Sequence, residues 1–388
     1  MRGVIKAKNK EDRVLNGLLG VLKLWVTAFG LALLVTLFFS GFFAQAARLQ
    51  VCRVGCDYTT IASAIEASNT GDQLNIEAGR YKENVLIGKS LTLVGLNRGQ
   101  VIIEPKQEGR PVLTIEGSEL EVTLEGVTVS SASGAPVDRE DNLYPDGISV
   151  QRGVKLELVN VTIVDNQECG LRVTGNSMVE IAGSSLAQNG QAGCLTGASQ
   201  LIVNDSRISG NGLVLSETAT VVINDSTVSN HESFGLKLQD SSKGEIKGSK
   251  IGTCKTCILL SEESFLELTD STVSDAADGA MLMKNSRASI TDTEFTDCTS
   301  GLDLRENAYI SLHDSKITSN DHGIALFGSS RLEVENCRIA YNDLGIKANP
   351  GSEGQVSGCG VRFYNNFEGD TTGLGEVTTA RLQDRCGS

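Results

Sequence analysis

The chain has 388 residues, a formal net charge of −14, 42 glycines and only 5% aromatic residues. This acidic balance argues against nucleic acid as a partner, because phosphate recognition needs clustered Lys and Arg. It also argues against unaided binding of a polyanion such as pectate, unless a cation bridges the two.

Residues 1–46 form a predicted targeting segment. Basic residues come first, an almost wholly apolar run fills 24–43, and Ala44-Gln45-Ala46 supplies a small-x-small cleavage pattern. The segment is therefore predicted to be a signal peptide, with an uncleaved signal-anchor as the alternative, since about 20 apolar residues can span a bilayer. Either outcome predicts an extracytoplasmic protein (secreted, periplasmic or at the cell surface), with membrane contact only through an uncleaved N-terminal segment.

The body of the chain opens with a short amphipathic segment. Between Thr60 and Ser68, Ile61, Ala64 and Ile65 stand at helical spacing, which predicts a helix that caps a solenoid end. Short strands are predicted to follow at Gln73 to Glu77, Asn84 to Ile87, Leu91 to Val94 and Val101 to Ile103.

Residues 57–103 resemble the opening of pectin-lyase-like right-handed β-helix proteins, pectinesterases in particular. The matching residues are Asp57, Tyr58, Thr60, Ile61, Ala64 and Ile65, then Gly79-x-Tyr81-x-Glu83-Asn84-Val85, then Leu91-x-Leu93-x-Gly95. The resemblance implies the fold and carries over no catalytic residue. The Gln pair and QDTL-like run of pectinesterases, the Asn-Thr-Asp and Gly-His-Gly signatures of polygalacturonases, and the DPH signature of mannuronan epimerases have no counterpart here.

The later chain repeats with a period near 22 residues. From Leu266 to Arg331 three successive 22-residue segments place an Asp, a small hydroxyl residue and a Gly at matching positions, with alternating apolar residues between them. Twenty-two residues accommodate three short strands and three bends, so the period predicts an all-β parallel β-helix over 47–367, and the family resemblance implies that it is right-handed. Residues 368–388 lose the repeat and are predicted to be a tail that either covers the last coil or is disordered.

The insertion at residues 131–146 interrupts the regular succession of short strands. It carries charged and aromatic residues suited to a sugar chain or to Ca²⁺ with a uronate, and the predicted ligand-binding residues are Asp138, Arg139, Asp141, Tyr144 and Asp146. The alternative is a surface loop without a ligand. The binding hypothesis predicts that Asp141→Ala with Asp146→Ala weakens binding and leaves the melting temperature nearly unchanged.

The recurring Asp residues have two interpretations. Asp270, Asp292 and Asp314 would stack on adjacent coils, and oxygen ligands in a row could hold Ca²⁺. Alternatively, Asp stands before a bend because its side chain accepts backbone hydrogen bonds there.

Ten cysteines outside the cytoplasm suggest disulfides. Cys52 and Cys56 are predicted to close a small loop, and Cys337 and Cys359 to stack on adjacent coils within bonding reach. Cys254 and Cys257 are either two thiols or one local disulfide. The three histidines, His231, His313 and His322, fall in different positions of the repeat, so no metal site or base–nucleophile pair is predicted from them.

Two functions follow as hypotheses. The first is an extracytoplasmic protein that binds a polysaccharide or another cell-surface component, or that serves as a surface scaffold. The second is a carbohydrate-active enzyme, a lyase or esterase acting on an acidic polysaccharide.

Overall fold

Each coil of the structure consists of short strands separated by sharp bends. The computed structural model describes residues 46–97, 99–137, 144–349, 356–374 and 381–386. Strands pair in parallel with their equivalents one coil away, as Tyr309–His313 does with Arg331–Glu335. Two parallel sheets result, which confirms the predicted solenoid. The predicted targeting segment lies outside the described residues except for Ala46, and the described part of the chain contains no helix long and apolar enough to span a bilayer.

The first sheet takes one strand from each coil. Its fourteen described strands are Arg48–Val51, Gln73–Ile76, Leu91–Gly95, Glu121–Glu125, Lys155–Val159, Met178–Ala182, Gln200–Asn204, Thr220–Asn224, Lys243–Lys247, Phe265–Thr269, Arg287–Thr291, Tyr309–His313, Arg331–Glu335 and Val356–Cys359.

The second sheet wraps the other two sides of the coil. Its described strands are Gly79–Lys82, Val85–Ile87, Val101–Glu104, Leu113–Glu116, Val127–Ser130, Ile148–Gln151, Thr162–Val164, Cys169–Val173, Ser185–Ala187, Gln191–Leu195, Arg207–Gly210, Leu213–Leu215, Thr227–Leu238, Lys250–Leu260, Thr272–Leu282, Glu294–Leu304, Lys316–Thr318, His322–Leu326, Arg338–Ala340, Leu344–Ala348, Arg362–Tyr364 and Gly369–Thr372. The four longest run continuously through the bend between the two sides.

Each bend uses a residue in the left-handed region. In the coil that begins at Phe265, these residues are Asp270 (φ 49°), Asp275 (φ 55°) and Lys284 (φ 59°). Asp and Asn tolerate positive φ better than most residues. This preference gives the recurring Asp a sufficient backbone reason.

The core is a thin column of aliphatic side chains. The same coil turns Leu266, Leu268, Val273, Ala280 and Leu282 inward, each at most 1% exposed. Burying a large aliphatic side chain contributes about 1.5–3 kcal/mol. Because each coil contacts only its neighbours, stability accumulates along the stack.

The predicted cap is a helix over Ile61–Ala67 with Thr60 as its N-cap. The backbone N–H groups of Ile61 and Ala62 donate to the Glu83 carboxylate, both at 2.9 Å. Ile61, Ala64 and Ile65 are buried as the helical spacing predicts. Glu83, one of the residues in the family resemblance, therefore ties this helix to the following strands.

Two polar ladders run along the inside of the bends. At the first bend a backbone N–H donates to the hydroxyl of the next coil, as Ser206 does to Ser226 at 3.0 Å. At the second bend, asparagine amides connect successive coils, as Asn320 to Asn342 at 3.0 Å and Asn342 to Asn366 at 3.1 Å. The ladders satisfy buried backbone groups that the bends leave without sheet partners.

All ten cysteines lie in the described residues. The disulfides are Cys52–Cys56, Cys169–Cys194, Cys254–Cys257 and Cys359–Cys386. The first confirms the predicted small loop, and the third is the local disulfide considered for that pair. Cys298 and Cys337 are free and buried.

The predicted Cys337–Cys359 disulfide is wrong. His313 pairs with Glu335, 22 residues on, but Glu335 pairs with Cys359, 24 residues on. The two extra residues shift Cys359 out of the hydroxyl position and into the first sheet. Cys337 instead extends the hydroxyl ladder by accepting from the Ser315 N–H at 3.4 Å.

The C-terminal residues close the far end of the stack. The strand Gly369–Thr372 pairs with Leu344–Ala348, so the coils extend into the range predicted to be a tail. This strand has no recognisable pattern in the sequence, because its pairing uses backbone groups and needs no apolar face. Beyond it, Leu382 is 1% exposed, and its carbonyl accepts from the Val361 N–H at 2.7 Å.

Candidate functional site on the first sheet

The predicted loop site is only partly described. Asp138, Arg139 and Asp141 lie outside the described residues. The Asp146 side chain is 0% exposed and accepts from the Arg172 guanidinium at 2.6 and 3.1 Å and from the Cys169 N–H at 2.9 Å. Burial raises the pKa of Asp146, against the opposing effect of the Arg172 hydrogen bonds.

Asp146 therefore anchors the chain at the end of the insertion, and its side chain is buried. Tyr144 completes the anchor, since its ring lies 4.2 Å from the Arg172 guanidinium carbon. The expectation that Asp141→Ala with Asp146→Ala leaves the melting temperature nearly unchanged is corrected, because the change at Asp146 would leave Arg172 with no carboxylate in a largely buried position.

The structure places Asp270, Asp292 and Asp314 on three successive exposed turns. They line a shallow depression of about 610 Å³ together with Lys316. Among the described residues, no group of three Asp, Glu, His or Cys side chains with ligand atoms within 4.8 Å of one another includes any of these aspartates. The positive φ of each accounts for its residue type, and Ca²⁺ binding by this column stays a prediction.

A polar concavity on the first sheet lies where its strands begin. A groove of about 980 Å³ runs across four neighbouring strands. Its lining residues are Glu263, Phe265, Asn285, Arg287, Asn307, Tyr309, Ser329 and Arg331. Phe265, Arg287, Tyr309 and Arg331 occupy matching positions on consecutive strands. Two guanidinium groups and two aromatic rings therefore alternate along one row at the strand spacing of about 4.8 Å.

A polar network continues from this groove along the outer face of two strands. The Tyr309 hydroxyl donates to Glu333 Oε2 at 2.6 Å, and this hydrogen bond together with burial raises the pKa of Tyr309. Ser311 Oγ lies 2.7 Å from His313 Nε2, and His313 Nδ1 lies 3.5 Å from Glu335 Oε2. A hydroxyl, an imidazole and a carboxylate thus stand in sequence on one exposed face.

The places of the three histidines in the repeat do not reveal this arrangement. A pattern within one strand does reveal it. Residues two apart on a strand face the same way, so Ser311 and His313 were bound to be neighbours once Tyr309–His313 was assigned as a strand. Glu335 follows from the 22-residue period, which places it beside His313 on the next strand.

Glu335 also lies beside the last disulfide. One of its carboxylate oxygens is within 4.8 Å of the sulfurs of Cys359 and Cys386. Because those sulfurs are bonded to each other, they are not free thiolates for a metal. The carboxylate therefore has the imidazole on one side and a covalent crosslink on the other.

A second carboxylate cluster lies on the outer face of the second sheet. Asp303 is held by the Arg305 guanidinium at 2.9 and 2.7 Å, and Thr256 donates to Asp278 at 3.1 Å. Burial raises the pKa of Asp278. Asp303 points outward as its strand position predicts, but its ion pair leaves it only 6% exposed.

Three-sided coils whose strands pair in parallel define a parallel β-helix protein. A family model described as "Right handed beta helix region" matches residues 112–269 and 256–374, which is more than half of the sequence. The chain belongs to this right-handed β-helix family, which confirms the fold that the resemblance implies. No curated protein sequence matches the chain.

Solved structures share the fold at low sequence identity. The A-module of mannuronan C-5 epimerase AlgE6 from Azotobacter vinelandii matches with a TM-score of 0.61 at 12% identity, covering 78% of this chain and 93% of the module. Tailspike protein 3 of bacteriophage CBA120 matches with a TM-score of 0.59 at 13% identity, covering 84% of this chain and 58% of the tailspike. The periplasmic alginate epimerase AlgG matches with a TM-score of 0.54 at 12% identity, covering 76% of this chain and 77% of the epimerase. At these identities the similarity establishes the fold alone.

Proposed function

We propose that the protein binds an acidic polysaccharide along the outer face of its first sheet. The observation that carries this proposal is the row of Phe265, Arg287, Tyr309 and Arg331 in an open groove. Guanidinium groups pair with carboxylates through charge-assisted hydrogen bonds, and aromatic rings offer flat apolar faces to sugar rings. A row across parallel strands suits an extended ligand with regularly repeated groups.

The overall charge of −14 is compatible with this proposal because the groove itself is lined by two arginines, Arg287 and Arg331, and by one acidic residue, Glu263. Arg287 and Arg331 are exposed on strands two apart, which separates them by about 9–10 Å. Direct pairing of these groups with ligand carboxylates removes the need for a bridging cation. Two similar structures are those of a mannuronan epimerase and an alginate epimerase, whose names point to the same ligand class.

We also propose that the protein works outside the cytoplasm. Four disulfides support an oxidising compartment. A further support is the run of basic and then apolar residues before the first coil.

Binding of alginate, compared with neutral dextran, tests the proposal by calorimetry. Arg287→Ala and Arg331→Ala are each expected to weaken alginate binding about tenfold, because a hydrogen-bonded charge contributes about 1.5–3 kcal/mol and 1.4 kcal/mol is a factor of ten. Arg207→Ala, an exposed arginine on the second sheet, is the matched control.

Chelation by EDTA separates direct pairing from a cation bridge. Direct pairing predicts that binding survives EDTA and weakens with added salt. Unchanged alginate affinity in the Arg287→Ala, Arg331→Ala double variant would refute the proposed groove.

A further inference from the structure

The polar network beside the groove has the order of groups that nucleophilic hydrolysis requires. His313 faces Ser311 with one ring nitrogen at 2.7 Å and Glu335 with the other at 3.5 Å. When Nδ1 carries the ring proton toward Glu335, Nε2 is free to accept the proton of the Ser311 hydroxyl. Recognition of such a unit depends on geometry and roles, and not on position in the sequence.

The network is accessible to a polymer bound in the groove. His313 and Glu335 retain 32% and 35% side-chain exposure. Ser311 stands two residues after Tyr309, which lines the groove, so both side chains project from the same face of one strand. A sugar ring stacked on Tyr309 would bring its substituents toward Ser311.

We infer that Ser311, His313 and Glu335 form an esterase site that removes O-acyl groups from the acidic polysaccharide held in the groove. This inference rests on the proposed function. Ser311 is the nucleophile, His313 the general base and acid, and Glu335 the positioning residue that holds the imidazole.

The reaction balances without a cofactor. Ser311 Oγ bonds to the acyl carbon while its proton passes to His313 Nε2, and the bond from acyl carbon to sugar oxygen breaks as that proton reaches the sugar oxygen. Water then attacks the acyl-serine, gives one proton to His313, and releases the carboxylic acid as the proton returns to Ser311. One ester and one water become one acid and one alcohol.

The cationic groups of the groove select the substrate and support the transition state. Arg287 and Arg331 pair with free carboxylates, so the sugar acid must be ionised and the ester must be on a hydroxyl group. The backbone N–H groups of this strand take part in the hydrogen bonds of the sheet. The donors that stabilise the oxyanion must therefore be side chains. Arg287 and Arg331 flank Tyr309, two positions before Ser311.

Hydrolysis of 4-nitrophenyl acetate and of O-acetylated polygalacturonate tests the inference. Ser311→Ala and His313→Ala are each expected to lower kcat by about 10²–10⁴-fold. The double variant should be no slower than the slower single variant, because members of one unit are not additive. Ser289→Ala is the matched control, since Ser289 is in register with Ser311 but is followed two residues later by Thr291.

Two further readouts separate chemistry from packing. A fluorophosphonate probe should label Ser311 in the wild type and fail to label it in His313→Ala, as located by mass spectrometry of the peptide. Glu335→Gln should lower kcat with little change in KM, because it acts through the imidazole. Folding of each variant is checked by its thermal transition.

The outcomes distinguish the inference from the function it rests on. If the wild type binds alginate but hydrolyses neither ester faster than His313→Ala, the esterase site is refuted and the binding proposal stands. If it hydrolyses 4-nitrophenyl acetate but does not bind alginate, the substrate class and the proposed function both fail. Turnover of methyl-esterified polygalacturonate in preference to the O-acetylated polymer would overturn the assignment to O-acyl groups.

Discussion

His231 should make the protein lose stability in mild acid. Its side chain occupies an inner bend position, is 4% exposed, and has a pKa lowered by burial from 6.5 to about 4. Between those values the unfolded chain binds a proton that the folded chain does not. Stability therefore falls as pH drops from 6.5 toward 4, and the contribution is present in full only above 6.5.

The size of the stability loss follows from the change in the pKa of His231. A difference of 2.5 between the two pKa values, at about 1.4 kcal/mol for each factor of ten, gives a full loss of about 3.5 kcal/mol once the pH is below both values. His231→Asn removes the titrating group and places there a residue type that forms the ladder in other coils. We expect the wild type to lose about 2.4 kcal/mol more than His231→Asn on going from about pH 7 to about pH 4.5, where most but not all of the full loss has developed.

Urea unfolding followed by circular dichroism at both pH values measures this difference. Carboxylates that titrate in the same range act on both proteins, so the comparison removes their effect. His322→Asn, at a half-exposed histidine, is the control. Equal acid losses in the wild type and His231→Asn would refute the reasoning.

Three other predictions follow from buried groups. Asp146→Ala should lower the free energy of unfolding by about 3 kcal/mol, because it leaves Arg172 without its carboxylate, whereas exposed Glu245→Ala should change it by less than about 0.5 kcal/mol in the same urea titration. Asn342→Ala should destabilise the protein by about 2–4 kcal/mol, because it removes the hydrogen bonds to Asn320, Asn366 and the Ile317 carbonyl. A melting temperature equal to that of the wild type would contradict a stabilising role of the asparagine ladder. Without reductant, Ellman's reagent should find no reactive thiol in the native protein and two after denaturation, because burial raises the pKa of Cys298 to about 11 and of Cys337 to about 12. A thiol that reacts in the native state, or Cys386 among the labelled residues, would contradict the disulfide assignment.

The fold was predictable because it depends on a period. The spacing from Ser271 to Thr293 to Ser315 repeats at 22 residues, and the strands between them obey it. Prediction failed where one coil departs from the period, since the 24-residue step from Glu335 to Cys359 changes every later alignment. Sequence spacing cannot show which of two adjacent coils contains an insertion.

The candidate site was less predictable because it is distributed over neighbouring strands. The inserted loop stood out in the sequence, yet Asp146 became a buried anchor once Arg172 lay beside it. The groove, by contrast, is formed by residues that differ from coil to coil at one repeated position, such as Phe265, Arg287 and Tyr309. A search for what the repeats share passes over these positions, although the variable residues of a regular scaffold are where its chemistry can be placed.

The disulfide to Cys386 has a consequence for how the molecule comes apart. Solenoid coils detach most easily from an open end, because an end coil is held on one side only. Cys359 fastens the C-terminal residues to the strand next to Glu335. Peeling from this end therefore begins against a covalent crosslink that is one strand away from Glu335 and two from His313. Reduction of that bond would lower the barrier to local opening where the candidate site lies, while the coils toward the other end keep their protection against hydrogen exchange.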